Sequence, residues 1–487
     1  PPIVTHVCIH LFMIRSCLVL IAALLTAAMA PAATGTRPDI VFIYCDDLRW
    51  DSLGVVQREQ GETARFPWLQ TPRLDALAAQ SVRFRASFVT TSLCSPGRAS
   101  VMTSRYGHHN GIIGNTTPLP ADSVTFPRHL REAGYTTAFV GKWHMGTQRD
   151  RPHFDYHASF VGQGRYNDCP LLVDGVETPT QGWVDDVTAE YAARFVAAQP
   201  KDKPFFLWLG FKSPHGPRGG ENLPERVRGL YANDASRPTP NTGLRAIYNP
   251  GAGGGGGGRY DTPTRLEAHR DFNRHATAID TSVGRLLDAL VAAGRADNTL
   301  IIFTSDNGYY LGEHGLGDKR TAYEESIRVP LLVRLPGAAA ARGVTNDAMV
   351  LNLDYGPTIL DFAGAKPLPD AQGRSLRPLL EGRSPADWRT EYFYEYFKEP
   401  PYAPPTVLAL RTTTHKLVVY PGHEEWTQVF DLKSDPYETR NLAGDAELRA
   451  KLQAAFDRQA EAVGFTWPAG WGPKGESPPA PASPKKK

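Results

Sequence analysis

Cysteine is scarce in this sequence. The 487 residues include five cysteines, and two of them precede residue 31. The other three, Cys45, Cys94 and Cys169, are too few for the disulfide framework of a small secreted domain. A bridge between Cys45 and Cys169 stays open as an alternative, whereas the apolar neighbours of Cys45 favour a buried thiol in a strand.

An excess of charge of either sign is also missing. Lysine and arginine number 53, and aspartate and glutamate number 51. Overall charge therefore does not predict nucleic acid or an anionic membrane surface as a partner, and any anion has to bind in a local pocket. With 41% hydrophobic and 21% charged residues, the composition is that of a globular protein with a large core.

A hydrophobic run long enough to cross a membrane is absent as well. The apolar run over residues 17–30 (CLVLIAALLTAAMA) follows Arg15 and ends in an A-x-A sequence. It has about 14 residues, whereas a spanning helix needs roughly 20, so a membrane anchor is the weaker interpretation. We expect a signal peptide over residues 13–30, a periplasmic or secreted mature protein, and no membrane span in that mature form.

Strands and helices alternate through the first four-fifths of the chain. The segments 39–45 (DIVFIYC), 205–211 (FFLWLGF) and 299–305 (TLIIFTS) are continuous apolar runs, which are typical of strands buried on both faces. An amphipathic helix pattern over 183–199 precedes the second of these strands, and a long helix pattern over 263–295 precedes the third. This alternation predicts an α/β fold with a large, mostly parallel sheet flanked by helices.

The pattern changes after about residue 382. Short strand-like segments follow one another and a helix pattern over 445–463 closes them, which predicts a small C-terminal antiparallel sheet subdomain with a helix. We expect a large first domain over 36–382, an α+β subdomain over 383–470 and a disordered tail over 471–487. The Gly-rich stretch within 219–261 is interpreted as an insertion loop, with a substrate-side lid as the alternative.

Acidic residues mark the ends of two of the strongest strands. Asp46 and Asp47 follow the first, and Asp306 and Asn307 follow the strand 299–305. Because ligands bind outside the carboxyl ends of strands in open α/β sheets, we expect both pairs to face one crevice. Crowded carboxylates repel one another, and oxygen ligands suit a hard cation, Ca²⁺ or Mg²⁺. The alternative is that these residues are turn formers and helix caps.

Cys94 precedes a stretch of small residues that is typical of a helix, in the sequence CSPGRAS. Backbone N–H groups and the helix dipole favour negative charge at such a helix start. Arg98 is four residues further on and shares that face of the helix. The pair predicts an anion site with a nucleophile at its centre, and the alternative is a structural cysteine beside a surface arginine.

Three further loops carry basic or titratable residues. Lys142 and His144 follow the strand 136–141, His215 follows the strand 205–211, and Lys319 lies beyond the Asp306 loop. Each of these residues alone is more often a structural residue than a catalyst. Their shared position after strands predicts a common site.

Taken together, these motifs resemble the formylglycine-dependent sulfatase family of the alkaline phosphatase superfamily. The resemblance covers nearly the whole chain after residue 36 and rests on these segments in order: IVFIYCDDLRWDSLG, TPRLDALA, CSPGRAS, GKWHMG, SPHGP, SDNGYYLGEHG, DKRTAYEESIRVPLLVR and VFDLKSDPYETRNL. Two positions depart from the family pattern: its usual serine before the arginine is Gly97, and its later Thr-Gly pair is Thr103-Ser104.

The resemblance implies a specific chemistry at Cys94. In the family a formylglycine-generating enzyme oxidises this cysteine to formylglycine (3-oxoalanine), whose hydrate carries two hydroxyl groups. One hydroxyl attacks the sulfur of a sulfate ester and the alcohol leaves; the second then loses its proton and sulfate is expelled by C–O cleavage. This is covalent catalysis that divides one difficult step into two.

The resemblance also implies a role for each predicted site residue. Asp46, Asp47, Asp306 and Asn307, with the modified Cys94, would hold Ca²⁺, with Mg²⁺ as the alternative ion. The basic residues have separate roles in the family. Arg98 would stabilise the alkoxide nucleophile, Lys142, Lys319 and His215 would bind sulfate oxygens, His215 with Lys319 would protonate the leaving alcohol, and His144 would act as base on the covalent intermediate.

The substrate is indicated by likeness to N-acetylglucosamine-6-sulfatases in two segments, YNDCPLLVDGVETPTQGWVDDVTAEYA and YFYEYFKEPPYAPPTVLALRTTTHKLVVYPG. The resemblance implies 6-O-sulfated N-acetylglucosamine of a glycosaminoglycan or mucin as substrate. Tyr394, Glu395 and Tyr396 would contact the sugar, or else form an aromatic strand that packs between domains. An arylsulfatase, a phosphonate monoester hydrolase and a non-catalytic sugar-binding relative are the alternative functions.

Overall fold

The computed structural model describes three ranges of the chain, 37–248, 262–337 and 343–473. The predicted signal peptide (13–30), the polyglycine stretch (251–258) and the predicted tail after residue 473 lie outside these ranges. None of the helices within the described ranges is both long and apolar enough to cross a membrane.

The strands form three sheets. The strands are β1 (Asp39–Asp46), β2 (Val82–Phe84), β3 (Ser87–Phe88), β4 (Thr136–Lys142), β5 (Tyr156–Phe160), β6 (Leu171–Val173), β7 (Val176–Thr178), β8 (Phe205–Pro214), β9 (Thr299–Ser305), β10 (Leu331–Arg334), β11 (Val344–Asn346), β12 (Val350–Leu351), β13 (Glu391–Tyr396), β14 (Val407–Thr412), β15 (His415–Val419) and β16 (Gln428–Asp431). The large sheet has ten strands in the order β11-β2-β10-β9-β1-β8-β4-β5-β6-β7, and β12 pairs with β3 in a small separate sheet.

The centre of the large sheet is parallel. β9, β1, β8, β4 and β5 run in one direction, and antiparallel pairing begins at β10 on one side and at β6 on the other. Every residue of β1, β8 and β9 is buried, as continuous apolar strands covered on both faces require. The predicted mostly parallel α/β sheet is confirmed.

Helices cover both faces of the sheet. The helices are α1 (Gly54–Gln60), α2 (Pro72–Ala78), α3 (Cys94–Thr103), α4 (Gly107–Asn110), α5 (Phe126–Glu132), α6 (Val184–Ala198), α7 (Glu225–Arg228), α8 (Pro263–Ala292), α9 (Glu324–Ile327), α10 (Tyr355–Ala363), α11 (Arg377–Leu380) and α12 (Ala446–Ala462). Side chains alternate along β1: Val41 and Ile43 pack in one core with α6 and α8, and Phe42 and Tyr44 pack in the other with α3, α5 and α10.

The start of the longest helix, α8, is determined by its sequence. The hydroxyl of Thr262 accepts a hydrogen bond from the N–H of Arg265 at 3.4 Å, and Pro263 occupies the first helical position of α8. Proline has no N–H to leave unsatisfied there, and its fixed φ suits the first turn.

A second, antiparallel sheet contains β13, β14, β15 and β16 in sequential order. One end of α12 is capped by Asp445, which accepts from the N–H of Leu448 at 3.0 Å. This sheet and α12 share a third core with Leu93 and Tyr106, which flank the start and end of α3. The predicted small C-terminal sheet with a helix is confirmed, whereas its boundaries at 383 and 470 stay predictions.

Four neighbouring parallel strands bring their carboxyl ends to one edge. In the order β9-β1-β8-β4, the last strand residues are Ser305, Asp46, Pro214 and Lys142. The loops that follow these strands therefore start side by side, and most of the predicted site residues lie at the strand ends or in these loops.

Candidate active site

Three carboxylates converge where β1 and β9 end. One oxygen each of Asp46, Asp47 and Asp306 lies within 4.8 Å of the other two. Asp47 adopts a left-handed backbone conformation with φ of 69°, and its N–H donates to Oδ1 of Asp306 at 3.0 Å. The two loops that the sequence analysis placed in one crevice are therefore joined directly.

Asn307 completes this cluster. Its side-chain amide donates to Oδ1 of Asp47 at 2.7 Å, while its own Oδ1 is buried and has no hydrogen-bond partner among the described residues. A buried carbonyl oxygen without a donor is costly unless something else binds it. Three carboxylates and this oxygen form an oxygen-only donor set, which fits a hard divalent cation such as Ca²⁺ or Mg²⁺.

Cys94 is the first residue of α3 and points at the same cluster. Its sulfur lies 3.3 Å from Oδ1 of Asp46 and 3.0 Å from the ammonium of Lys319. The N–H of Ser95 donates to the side-chain oxygen of Asn115 at 3.1 Å, which caps the helix from a distant loop. Burial and the Asp46 carboxylate raise the pKa of the Cys94 thiol to about 12.

Arg98 lies one turn into α3 and binds Asp306. Its Nε and Nη2 donate to Oδ2 of Asp306 at 3.1 and 2.8 Å, and its Nη1 donates to the carbonyl of Lys142 at 2.8 Å. Burial and then the Asp46 carboxylate raise the pKa of Asp306 to about 7, although Arg98 acts in the opposite direction. Arg98 thus links the cysteine helix to the ends of both β9 and β4.

Two lysines contact the carboxylate cluster from opposite sides. Lys142 donates to Asp46, and Lys319 donates to Asp47. Burial would raise the pKa of Asp46, but Lys142, followed by His215 and Lys319, holds it well below its usual range. Both lysines are almost fully buried, so their ammonium groups face the carboxylates rather than solvent, and that of Lys319 also faces Cys94.

His144 and His215 lie beside these lysines. Gln163, which has no signal in the sequence, joins Lys142 (2.7 Å) to Nε2 of His144 (3.0 Å), and Nδ1 of His144 is buried without a described partner. Nδ1 of His215 donates to the carbonyl of Gly216 at 2.8 Å, and a nitrogen of this ring lies within 4.8 Å of Asp46 and Cys94. Burial lowers the pKa of His215 to about 3.

Arg218 is a site residue that the sequence analysis missed. Its Nη2 lies 3.7 Å from Oδ2 of Asp47. The residue stands only three positions after His215, in a loop already recognised as following a strand, so its charge and position were the available signal. Asn115, in contrast, reaches α3 from a loop whose sequence has no feature of a site.

The two departures from the sulfatase motif have structural counterparts. A Cβ atom at Gly97 would lie 3.1 Å from the carbonyl oxygen of Asp306, so glycine allows α3 to approach that loop closely. Ser104 follows α3 in the left-handed conformation, with φ of 54°, and its buried hydroxyl has no described partner. Glycine occupies such a helix-ending position without strain.

The three residues predicted to contact the sugar are buried, and their role in sugar binding stays a prediction. The hydroxyl of Tyr394 donates to the carbonyl of Thr321 at 3.0 Å, and the carboxylate of Glu395 binds the N–H and the Nδ1 of His108 at 3.1 and 2.6 Å. Tyr394, Glu395 and Tyr396 are all buried between the small sheet and the large domain. These contacts agree with the alternative that the sequence allowed, an aromatic strand that packs between domains.

Family comparisons agree with this geometry over most of the chain. The sulfatase family model matches residues 38–365, and a model of the C-terminal part of N-sulphoglucosamine sulphohydrolase matches residues 312–463. The chain belongs to the sulfatase family. It is therefore a sulfuric ester hydrolase, and its large sheet with a small C-terminal antiparallel sheet is the architecture of its sulfatase neighbours.

Individual sulfatases show how far the likeness extends. An N-acetylglucosamine-6-O-sulfatase of Bacteroides thetaiotaomicron is 31% identical, with 85% of this chain and 84% of that protein covered. The human N-acetylglucosamine-6-sulfatase is 27% identical, with 86% and 84% covered. The solved structure of BT4656 in complex with its substrate D-glucosamine-2-N,6-O-disulfate has a TM-score of 0.78 at 28% identity, covering 88% of this sulfatase and 98% of that chain.

Proposed function

We propose that this sulfatase removes the 6-O-sulfate of N-acetylglucosamine residues in a glycosaminoglycan or mucin glycan. The observation that carries this proposal is the convergence of Cys94, three carboxylates and two lysines at the start of α3. The substrate is supported by the likeness to N-acetylglucosamine-6-sulfatases of bacterial and mammalian origin.

The proposal includes a modified residue and a bound cation. Formylglycine made from Cys94 would supply a nucleophilic hydroxyl and a second hydroxyl for product release, and Ca²⁺ would stabilise the negative charge of the nucleophile. Asp46, Asp47, Asp306 and the free Oδ1 of Asn307 would hold the ion. The formylglycine-generating enzyme is then a required partner during maturation, and the predicted signal peptide makes a periplasmic or secreted location part of the same proposal.

Arg98 keeps Asp306 in place beside position 94. Two donors on one carboxylate oxygen and a third on the Lys142 carbonyl leave the guanidinium little freedom to move. A fixed positive charge in a buried site stabilises developing negative charge without reorganisation. Asp306, held in this way, is the residue that we expect to help deprotonate the nucleophile.

Lys142 and Lys319 provide positive charge for the sulfate. Both ammonium groups lie at the carboxylate cluster, and Lys319 is in contact with the sulfur of Cys94. A sulfate ester whose sulfur approaches position 94 would bring its oxygens to these donors. Charge-assisted hydrogen bonds of this kind are stronger than neutral ones, and they orient the ester for attack.

The two histidines take the proton transfers. His215 lies beside Asp46 and Cys94, and a bound sulfate anion would favour its protonated form, so with Lys319 it can protonate the leaving oxygen. His144 is buried behind Lys142, and burial followed by Lys142 holds its pKa well below the usual range. A neutral imidazole in this position suits the base that acts on the covalent intermediate.

A panel of three substrates tests the function. The purified enzyme, with formylglycine at position 94 verified by mass spectrometry, is assayed with 6-sulfated N-acetylglucosamine, a nitrophenyl sulfate and a phenyl phosphonate. We expect the highest kcat/KM for the sulfated sugar. A preference for either aryl substrate would instead assign an arylsulfatase or a phosphonate monoester hydrolase, and binding without turnover would assign a sugar-binding relative.

A further inference from the structure

A cavity that the proposed mechanism does not use adjoins the carboxylate cluster. It has a volume of about 240 Å³ and lies between the first turns of α8 and the loop after β9. Its lining includes Arg218, Arg265, His269, Tyr309, Tyr310 and Leu316. Arg218 also approaches Asp47, so this one side chain belongs both to the cavity and to the catalytic cluster.

The guanidinium of Arg218 is held by several contacts, but one of its nitrogens has no hydrogen-bond acceptor in the described part of the chain. It lies 4.1 Å from the ring centre of Tyr309 and 4.9 Å from that of Phe272, and its Nε donates to the carbonyl of Pro214. Its Nη2 is buried and has no hydrogen-bond acceptor among the described residues. The 3.7 Å separation from Asp47 is an ion-pair distance but too long for a hydrogen bond.

Arg218 lies close to the residue that is proposed to protonate the leaving group of the substrate. It stands three residues after His215, in the same loop, and His215 is the residue proposed to protonate the leaving oxygen. Contacts run from Cys94 through Lys319 and Asp47 to Arg218, so Arg218 lies beyond the group that contacts the ester. Because His215 and Arg218 share one short loop, a leaving sugar beside His215 would lie near this cavity.

The side chains that line the cavity are complementary to a charged sugar. Tyrosine rings and Leu316 provide apolar surface for a pyranose, and arginine provides a planar donor pair for an oxyanion. The acidic side chain in its lining, Asp271, already accepts from Arg274 at 2.7 Å. A desolvated guanidinium with a free N–H edge selects for an anion in this setting.

We propose that Arg218 and the adjoining cavity form a subsite for a second anionic group, a sulfate or a carboxylate, on the leaving glycan. This inference rests on the proposed function, since it assumes that the leaving group is a sugar. It makes the preferred substrate a polyanionic glycan rather than one that carries the scissile sulfate alone.

The first test compares two substrates that differ by one charge. For Arg218→Gln we expect kcat/KM for glucosamine 2-N,6-O-disulfate to fall about 10–100-fold further than kcat/KM for 6-sulfated N-acetylglucosamine, since a charge-assisted hydrogen bond is lost. Arg218→Lys should recover part of this ratio. Arg228→Gln is the matched control, because Arg228 is 44% exposed and pairs with Glu225 on the surface.

The ratio of the two losses in kcat/KM distinguishes direct recognition of the second anion by Arg218 from an indirect effect through the cation site. If Arg218 acted through Asp47 alone, both substrates would lose activity equally and bound calcium would fall, and that result would overturn the inference. A uronate-containing disaccharide with one 6-sulfate, assayed in parallel, identifies the favoured anion. A drop confined to the N-sulfated sugar assigns a sulfate subsite, and a drop confined to the disaccharide assigns a carboxylate subsite.

A binding measurement separates this inference from the proposed function. Glucosamine N-sulfate, which has no 6-sulfate to hydrolyse, should bind the full-length enzyme at least about tenfold more tightly than N-acetylglucosamine, and Arg218→Gln should remove the difference. Calorimetry reports this with or without turnover. Binding through Arg218 in an enzyme that does not cleave 6-sulfated sugars would refute the function and retain the subsite, whereas equal binding of both sugars would refute the subsite.

Discussion

Two buried charge clusters in this sulfatase contain the same kinds of residue in opposite arrangements. In the catalytic cluster, Asp46, Asp47 and Asp306 face one another, and the basic groups surround them. The second cluster, called here the junction cluster, consists of Glu324, Arg411, Lys416 and Glu438, and it joins the small sheet to the large domain. In the junction cluster the ammonium of Lys416 lies between the carboxylates of Glu324 and Glu438.

Contacts in the junction cluster are saturated. The ammonium of Lys416 donates to the carbonyl of Ala322 at 2.7 Å and to Glu438 at 2.6 Å, and it lies 2.9 Å from Glu324. Arg411 binds both oxygens of Glu324, at 3.3 and 3.2 Å. A lysine has three donors, and all three are used here. The free oxygen of Asn307 has no equivalent among these contacts.

The difference shows that the arrangement of charges, rather than their number, makes a ligand site. A central ammonium pairs with Glu324 and Glu438, so these two carboxylates have a cation of the protein itself as partner. Carboxylates that face one another, with an unpartnered amide oxygen beside them, form a donor set that suits a hard cation. The first cluster should therefore respond to ion removal, and the second should respond only to mutation.

Cys94→Ala gives the largest expected effect. It removes the nucleophile, so hydrolysis of 6-sulfated N-acetylglucosamine should fall by at least about 10⁴-fold, while the melting temperature changes little. Cys169→Ala is the matched control, since that thiol lies outside the site and should leave turnover unchanged. Full activity of the Cys94 variant would show that another group is the nucleophile.

Removal of the divalent ion is expected to have the next largest effect. Dialysis against a chelator should lower kcat by at least about 100-fold, because the nucleophile loses its charge stabilisation, and added Ca²⁺ should restore it. Lys416→Met should keep its calcium content, measured by elemental analysis, if the junction cluster binds no ion. Activity that survives chelation would contradict the proposed role of the carboxylates.

Lys416→Met should destabilise the fold without altering the chemistry. The buried carboxylate of Glu438 would lose its basic partner and Glu324 would keep only Arg411, so the free energy of unfolding should fall by about 3–5 kcal/mol. Denaturant unfolding measures this, and KM of the folded fraction should stay at the parent value. Arg194→Ala removes a pair whose arginine is 66% exposed and serves as control, with little change expected. A stability loss as small as that of the control would mean that the junction cluster is not structural.

Ser104→Gly should give the smallest effect, and in the stabilising direction. It replaces a left-handed serine by the glycine usual in the family and removes a buried, unpartnered hydroxyl, so stability should rise by about 1 kcal/mol. Ser100→Gly, within α3, also removes a buried hydroxyl without a described partner but should lower stability by about 0.5 kcal/mol, because glycine is unfavourable in a helix interior. Thermal unfolding compares the pair, and destabilisation by both would mean that the strain at position 104 is absent.

Local features of the sequence were sufficient for the fold and for the main site residues. The apolar runs of β1, β8 and β9 can be recognised as strands in the sequence, because a strand covered on both faces needs no polar position. Asp46, Asp306, Lys142 and His215 follow such strands directly, and parallel strands bring their carboxyl ends together. These predictions depend on sequence order and strand direction alone.

Other features were decided only by tertiary packing. Tyr394 and Glu395 have the composition of a sugar-binding strand, yet both are buried, with Thr321 and His108 as hydrogen-bond partners. Gln163 and Asn115 reach the site from loops whose sequence has no feature of a site. The same holds for the two charge clusters, because whether a lysine lies between carboxylates or beside them is set by side-chain positions from separate elements, which no linear pattern records.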